Sequence, residues 1–227
     1  MPSYPIESLV EHLLNATEPA DFHQSLAQAL TVFDEIQTQE VQAAGIQLVC
    51  RAGCSLCCSL RVDVHAHEVF HLAAFILTRW TKSEREDLVQ RLMVRSGKVL
   101  ALTPMELIKS NFVCALLKDG QCSVYEVRPH TCRRHHSLDL ATCQHAYDHP
   151  DDLDFPSAHD RELFRLLTDE MEWGIEVYGQ LGYDRTIYEL GSALLEALTL
   201  PDCWERWRRH ERAFLFASVS PACSAEF

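Results

Sequence analysis

The sequence predicts a mainly α-helical domain with an irregular, cysteine-rich metal-binding insert and a small β-hairpin. Apolar residues recur at three- and four-residue steps on both sides of the middle of the chain, which is typical of amphipathic helices. The middle instead carries turn signals and eight of the ten cysteines. A chain of 227 residues is long enough for one sizeable core. We therefore expect residues 1–227 to form a single domain, in which the metal-binding segment 48–143 packs on flanking helices within 5–47 and 157–217.

The flanking helices are predicted from the spacing of their apolar residues. Residues 20–49 present one apolar stripe, made of Phe22, Leu26, Leu30, Phe33 and Ile36. Residues 65–80 are apolar on most sides, so we expect a second helix that is largely buried. Further helices are predicted from Ser157, from residue 184 and from Pro201, each with a regular apolar pattern.

Capping and turn signals organise the middle of the chain. Ser83 with Glu86 matches the capping box, in which a hydroxyl and a carboxylate satisfy free backbone N–H groups at a helix start. Thr103 with Glu106 repeats the pattern, so two helices are expected here. The Asp-Gly pair at 119–120 lies between β-forming residues and predicts the hairpin.

Composition and charge argue against several classes of function. The formal net charge is −13, from 20 basic and 33 acidic side chains, which disfavours general affinity for nucleic-acid phosphates. No apolar run reaches the roughly 18 residues of a membrane span. The first residues lack a basic start followed by an apolar core, so no secretion signal is predicted. We expect a cytoplasmic protein that binds neither nucleic acid nor membrane, with a protein partner left open.

Cysteines carry the strongest chemical signal of the sequence. Cytoplasmic thiols are kept reduced, so clustered cysteines indicate metal or redox chemistry. Eight of the ten are predicted to be metal ligands: Cys50, Cys54, Cys57, Cys58, Cys114, Cys122, Cys132 and Cys143. The other two, Cys203 and Cys223, are interpreted as a packed apolar thiol and a tail residue with no ligand role.

Other uses of clustered cysteines fit this chain less well. A disulfide scaffold is typical of small secreted domains, whereas this chain is long and lacks a secretion signal. A thioredoxin-like pair at Cys54 and Cys57 needs a strand before it and a helix after it, but the preceding segment is predicted to be helical. Metal binding is therefore the favoured interpretation.

The spacing of the cysteines suits soft metals. Two residues separate Cys54 from Cys57, so both thiolates can reach one ion from a single tight turn, for which Gly53 supplies conformational freedom. Pro129 restricts the backbone before it and so helps to direct Cys132. Thiolates select zinc, copper(I) or iron–sulfur clusters, and a zinc ion or a cubane cluster takes four. Eight cysteines allow one site with spares, two sites, or one multinuclear site.

The adjacent pair Cys57 and Cys58 constrains the division of ligands. Neighbouring side chains are expected to diverge, so we do not expect both sulfurs on one mononuclear ion. This favours a second site, a bridging sulfur, or a redox-active or packed thiol at one position.

Arginines and histidines near the cysteines are secondary candidates. Arg128 and Arg133 flank Cys132 and are predicted to lie behind the ligands, where they offset thiolate charge and favour the ligating form; the alternative is pairing with nearby acids such as Glu126. Five histidines are weaker candidate ligands: His130, His135, His136, His145 and His149. The stretch HEVFH at 67–71 matches a metalloprotease pattern, yet the predicted helix around it is buried and lacks other features of such enzymes.

The segment CRAGCSLCC followed by CALLKDGQCSVYEVRPHTCRRHH resembles the CxxCxxCC cysteine-cluster family, described as a zinc- or iron-chelating domain. The matching positions of the second segment are Cys114, Leu117, Gly120, Cys122, Val124, Tyr125, Arg128, Pro129, Cys132 and Arg133. The resemblance covers about residues 48–143. One spacing departs from the pattern, because three residues rather than two separate Cys50 from Cys54.

The resemblance implies a metal-chelating domain with eight characteristic cysteines, and it does not supply a reaction. We expect a protein that binds zinc or iron in a metal-handling, structural or docking role, with no catalytic residue predicted. The alternative is an iron–sulfur redox protein, acting in electron transfer or as an accessory to an oxidoreductase.

Overall fold

The computed structural model describes residues 14–51 and 53–219, and within them it confirms a mainly α-helical fold. The α-helices are α1 Pro19–Ala43, α2 Ala66–Arg79, α3 Lys82–Leu100, α4 Pro104–Ile108, α5 His130–Arg134, α6 Leu140–Asp148, α7 Arg161–Gln180, α8 Leu190–Thr199 and α9 Cys203–Arg208. The short strands are β1 Asp63–Val64, β2 Leu117–Lys118, β3 Gln121–Cys122 and β4 Tyr188–Glu189, paired antiparallel as β1–β4 and β2–β3. None of the helices in the described ranges is long and apolar enough to cross a bilayer.

Helix α2 lies at the centre of the core, as its composition predicts. It packs against α1 on one side and α8 on the other, while α3 covers α8 and α7 covers α1. Phe70 of α2 contacts Trp204, Trp207 and Phe214, with ring centroids 5.2–5.4 Å apart. Because aromatic rings bury large apolar areas, this cluster ties α9 and the segment after it to the central helix.

The boundaries of the first helices differ from the predicted ones for local reasons. Helix α1 ends at Ala43, six residues early, because Gly45 has a φ of +64° that an α-helix cannot contain. Helix α3 begins at Lys82, and its capping box is formed by Thr81 and Glu84 instead of the predicted Ser83 and Glu86. The capping box of α4, Thr103 with Glu106, is confirmed.

The predicted hairpin is confirmed in the middle of the chain. Strands β2 and β3 pair Leu117 with Cys122 and Lys118 with Gln121. Asp119 and Gly120 between them have φ angles of 51° and 74°, which is the conformation that a two-residue hairpin turn demands.

The C-terminal helices are shorter than predicted. Asp160 caps α7 by accepting from the Leu163 N–H, so the helix starts at Arg161, not at Ser157. The helix predicted from 184 begins at Leu190, because Tyr188 and Glu189 pair with β1 instead. The helix predicted from Pro201 ends at Arg208, and the chain beyond it is held by other partners.

The side chain of Glu196 binds the backbone of the segment that follows the last helix. Its buried carboxylate accepts the backbone N–H groups of Leu215, Phe216 and Ala217 at 2.7–3.0 Å and pairs with the Arg206 guanidinium at 3.2 Å. These bonds replace the helical bonds that the apolar pattern of residues 201–216 suggests. A tertiary contact therefore overrides local helix propensity in this segment.

Buried histidines of the core make stability depend on pH. His71 of α2 is 1% exposed, stacks on His23 with centroids 4.3 Å apart, and has no hydrogen-bond partner for either ring nitrogen within the described chain. Burial lowers the pKa of His71 to about 2, below its value in the unfolded chain. The unfolded state therefore takes up more protons, and this contribution to stability is present above the unfolded pKa and lost as the pH falls.

We expect His71→Phe to flatten that dependence. Between about pH 6.5 and 5, its slope of unfolding free energy against pH should be smaller than that of the parent protein by about 1.4 kcal/mol per pH unit. Urea titrations at several pH values measure this. Phe75→Leu, which alters the same stack without removing a titrating group, should lower stability equally at each pH; identical slopes for His71→Phe and the parent would refute the expectation.

Candidate metal centre

A tight turn places the first cysteines. Leu56–Ser59 form one 3₁₀ turn that contains Cys57 and Cys58. Before it, the Cys54 N–H donates to the Arg51 carbonyl at 3.0 Å, and Gly53 adopts a φ of +84°. This left-handed residue lets the chain reverse between Cys50 and Cys54, which explains the extra residue in their spacing.

The hairpin segment docks on this turn through its backbone. The Cys114 N–H donates to the Cys58 carbonyl and the Phe112 N–H donates to the Ser59 carbonyl, both at 2.8 Å. Cys122 ends strand β3 and faces the same region. The turn and the hairpin are thus held together by hydrogen bonds that do not involve sulfur.

Two short helices, α5 and α6, carry the last two ligand candidates. Cys132 lies on α5, whose start is fixed by the His130 N–H donating to Glu68 at 2.9 Å and by the Thr131 hydroxyl donating to the Asp63 carbonyl at 2.9 Å. Cys143 lies on α6, which packs against the 3₁₀ turn and begins with Asp139 as its cap. Neither helix was predicted, because each has too few residues to show an apolar period.

Four cysteines form an inner group: Cys58, Cys114, Cys122 and Cys132. Their sulfurs are near enough to perturb one another, and Cys114, Cys122 and Cys132 pack against the apolar core. Burial raises the pKa of Cys132 strongly, and the neighbouring thiolates of Cys114, Cys122 and also Cys57 raise it further. Mutual repulsion of this kind is what a bound cation relieves.

The other four cysteines form an outer group: Cys50, Cys54, Cys57 and Cys143. Burial raises the pKa of Cys50, and the thiolates of Cys57, Cys143 and Cys54 raise it further, which places these four sulfurs near one another. Cys50 and Cys57 are exposed, whereas Cys54 and Cys143 are partly buried, like every member of the inner group. Both exposed cysteines of the cluster therefore belong to the outer group.

The doublet joins the two groups. The Cys58 thiol donates to the Cys57 sulfur, which lowers the pKa of Cys57 to about 7 and raises that of Cys58. The two sulfurs therefore lie near each other, and the expectation that they do not share one mononuclear ion stays a prediction. The lowered pKa favours the thiolate form of Cys57 at neutral pH.

The cysteine sulfurs fit a soft metal, but they lie further apart than the sulfur ligands of one ion. Sulfur ligands select zinc, copper(I) or iron–sulfur clusters. With Zn–S bonds of about 2.3 Å, the sulfurs of a tetrahedral site lie about 3.8 Å apart. Among the described residues, 14–51 and 53–219, there is no set of three cysteine sulfurs that all lie within 4.8 Å of one another. A single ion would have to draw each group inwards.

Both predicted arginines pair with one acid, Asp34. Arg133 is 3% exposed, and its guanidinium pairs with Asp34 and donates to the carbonyls of Arg128 and Glu126. Arg128 pairs with the same Asp34 at 3.3 Å. Burial raises the pKa of Cys122, and the charge of Arg128 opposes that rise. Arg128 thus acts on a ligand candidate through its charge, and Arg133 holds the backbone that leads to α5.

The HEVFH stretch does not form a metalloprotease site. The Glu68 carboxylate accepts the N–H groups of His65 and His130 at 2.9 Å and contacts the His130 ring at 3.2 Å, while His71 stacks on His23. Burial favours the neutral acid, but the hydrogen bond from His130 holds the pKa of Glu68 well below its usual range. His67, Glu68 and His130 do lie within 4.8 Å of one another. This trio was not predicted from the sequence, because the HEVFH pattern contains His67 and Glu68 while His130 lies far along the chain.

Two of the remaining candidate histidines, His136 and His145, are held by hydrogen bonds. His136 is held between the Arg134 carbonyl at 2.9 Å and the Asp160 N–H at 3.0 Å, and His145 pairs with Asp152 at 2.9 Å. His135 lines an open cavity of about 160 Å³ beside the outer group. Cys57 and Cys143 line the same cavity, which the sequence could not reveal because its walls come from separate segments.

Cys203, assigned no ligand role, is 2% exposed and donates to the Glu196 carbonyl at 3.6 Å, far along the chain from the other cysteines. Cys223 lies outside the described residues.

Fold and site together define a helical protein with a cysteine-cluster metal-chelating segment. Residues 49–152 match the family model CxxCxxCC, described as a "putative zinc- or iron-chelating domain". The resemblance drawn from the motifs is thus confirmed for these residues. No curated protein and no solved structure matches the chain.

Proposed function

We propose that this protein holds zinc or iron in two neighbouring sites of four cysteines each. The proposal is supported by the docking of the segment that carries Cys114 on the 3₁₀ turn Leu56–Ser59 through backbone hydrogen bonds, and by the packing of α6, which carries Cys143, against the same turn. The inner site consists of Cys58, Cys114, Cys122 and Cys132. The outer site consists of Cys50, Cys54, Cys57 and Cys143. Neither group contains a cationic side chain, so bound cations would balance the thiolate charge.

The inner site has the character of a structural centre. Its members lie on the turn, the hairpin and α5, which have little regular structure of their own. Structural zinc sites are closed, with four protein ligands and no open position. An ion here would connect these three segments and hold them on the helical body. The outer site is better suited to metal handling, since it is open to solvent.

An iron–sulfur redox protein is the second candidate. The wide spacing of the sulfurs favours it, because the cysteines of a cluster bind different irons and stand further apart than the ligands of one ion. Arg95 and Arg128 would then tune the potential, since their charges oppose the rise of the Cys114 and Cys122 pKa values.

Metal and sulfide analysis of anaerobically purified protein distinguishes the two candidates. We expect two ions of zinc or iron per chain without acid-labile sulfide, and a colourless or weakly coloured solution in the zinc case. A brown protein with sulfide in stoichiometric amount would establish the cluster. Protein that carries neither metal nor sulfide, and gains none on anaerobic titration with zinc or ferrous iron, would refute both. Aerobic material is unsuitable, because zinc can occupy sulfurs that a cluster has left.

A further inference from the structure

We infer that the cavity beside the outer site admits a low-molecular-weight thiol, which takes the ion from that site. This inference rests on the proposed function. It adds the ligand that removes the ion and the path by which that ligand reaches it. The cavity measures about 160 Å³ and is open to solvent. Cys57 on the 3₁₀ turn and Cys143 on α6 both line it, so a ligand inside it reaches an ion held by these two residues.

Only the outer site meets this cavity. Within the described chain, the cysteines that line it are Cys57 and Cys143, and none of the inner group takes part. Three members of the inner group pack against the apolar core instead. A ligand in the cavity therefore has access to one site and not to the other, although the doublet Cys57–Cys58 brings the two sites close together.

The walls select the ligand by size and charge. Tyr147, Phe155 and Phe164 make one side apolar. The lining residues of the described chain include no lysine or arginine, and the one acid, Asp152, already pairs with His145 at 2.9 Å. Apart from three histidines, a polyanionic chelator meets no basic side chain here. About 10–15 Å³ of such a volume holds one water, so the cavity accommodates roughly 11–16 small atoms, which is enough for a small thiol such as cysteamine and less than a glutathione molecule occupies.

A thiol is the donor that can compete for this ion. Soft metals prefer sulfur, so oxygen and amine ligands of the same size are weaker competitors. In the first exchange step a bond forms between the thiol sulfur and the ion, and the bond from the ion to Cys57 breaks. Further thiols displace Cys143, Cys50 and Cys54 in the same way, so the ion leaves bound to the added thiolates. The proton of each thiol passes to the cysteine sulfur that it displaces. Charge and oxidation state are unchanged.

Zinc release from the zinc-loaded protein tests this inference. We expect excess cysteamine to release zinc in two phases, each with an amplitude of one ion per chain, as followed with a chromogenic zinc indicator. The fast phase reports the outer site and the slow phase the inner site. Glutathione, which is too bulky for the cavity, should drive the fast phase at least about tenfold more slowly. The indicator alone sets the baseline.

Two exposed alanines of α6 provide a matched pair of variants. Ala146 lines the cavity and Ala141, on the same helix, does not. Ala146→Phe should slow the fast phase by about tenfold or more and leave the slow phase unchanged. Ala141→Phe should alter neither phase. Ser157→Phe, from another part of the wall, provides a second block if Ala146→Phe fails to fold by circular dichroism.

The outcomes separate this inference from the proposed function. Protein that binds no zinc refutes the proposed function. Two outcomes would overturn only the inference that a thiol enters the cavity. One is release of two bound zinc ions in a single phase. The other is a fast phase in Ala146→Phe and Ser157→Phe that has the same rate as in the parent protein. Equal fast rates with cysteamine and glutathione would overturn it as well.

Discussion

Replacement of Cys132 by serine is expected to remove one ion per chain and to release the segment from the turn to α5. Burial and the neighbouring thiolates raise the pKa of this sulfur, so without a metal it is a neutral, partly buried thiol that binds nothing in return. Apparent binding free energies of structural zinc are about 10–16 kcal/mol at pH 7. A typical protein is stable by only about 5–15 kcal/mol, so losing even part of this contribution is severe. Metal analysis and limited proteolysis of residues 50–143 measure the effect.

Cys203→Ser is the matched control for that experiment. It makes the same chemical change at a cysteine that is 2% exposed and lies near Glu196 and Arg206, away from the cluster. The control should keep two ions and the parent pattern of proteolysis. Equal metal content in Cys132→Ser and Cys203→Ser would contradict the ligand assignment. Full protection of the segment in a metal-free sample would contradict the structural role of the inner ion.

Glu68→Ala is expected to cost about 3–5 kcal/mol of stability. The carboxylate is 5% exposed and accepts the N–H groups of His65 and His130, which start α2 and α5 respectively. Removing it leaves both donors buried without an acceptor. Because α5 carries Cys132, the inner site should also bind its metal about 10–100-fold more weakly, as is found for residues that support a metal ligand. Urea denaturation and competition with a chelator measure the two effects.

Glu84→Ala provides the comparison for Glu68→Ala. Glu84 occupies the same third position of its helix and closes a capping box with Thr81, but it is exposed and distant from α5. Its removal should lower stability much less and leave metal affinity unchanged. If both variants lost the same amount of stability, the burial of Glu68 and its link to α5 would not matter, and our account of that residue would be wrong.

Local signals predicted those parts of the fold that depend on neighbouring residues. The capping box of Thr103 and Glu106 and the turn at 119–120 were predicted correctly, because each is completed within a few residues of chain. The central position of α2 followed from its nearly continuous apolar surface. The helix predicted from Pro201 was too long, because His210 adopts a φ of +62° and the carboxylate of Glu196 takes the N–H groups of residues 215–217.

The sequence by itself determined the chemistry of this protein: a helical body, a cysteine cluster with soft-metal donors, and a motif segment that matches the CxxCxxCC family model over residues 49–152. Only the tertiary structure decided which cysteines are exposed to solvent, and it is the basis of the proposed division into two sites. Spacing along the chain limits which sulfurs can share a turn, but it cannot place Cys132 or Cys143 relative to Cys57 and Cys58. Those placements depend on α5 and α6, two helices too short to leave a periodic signal and held in position by contacts from distant residues.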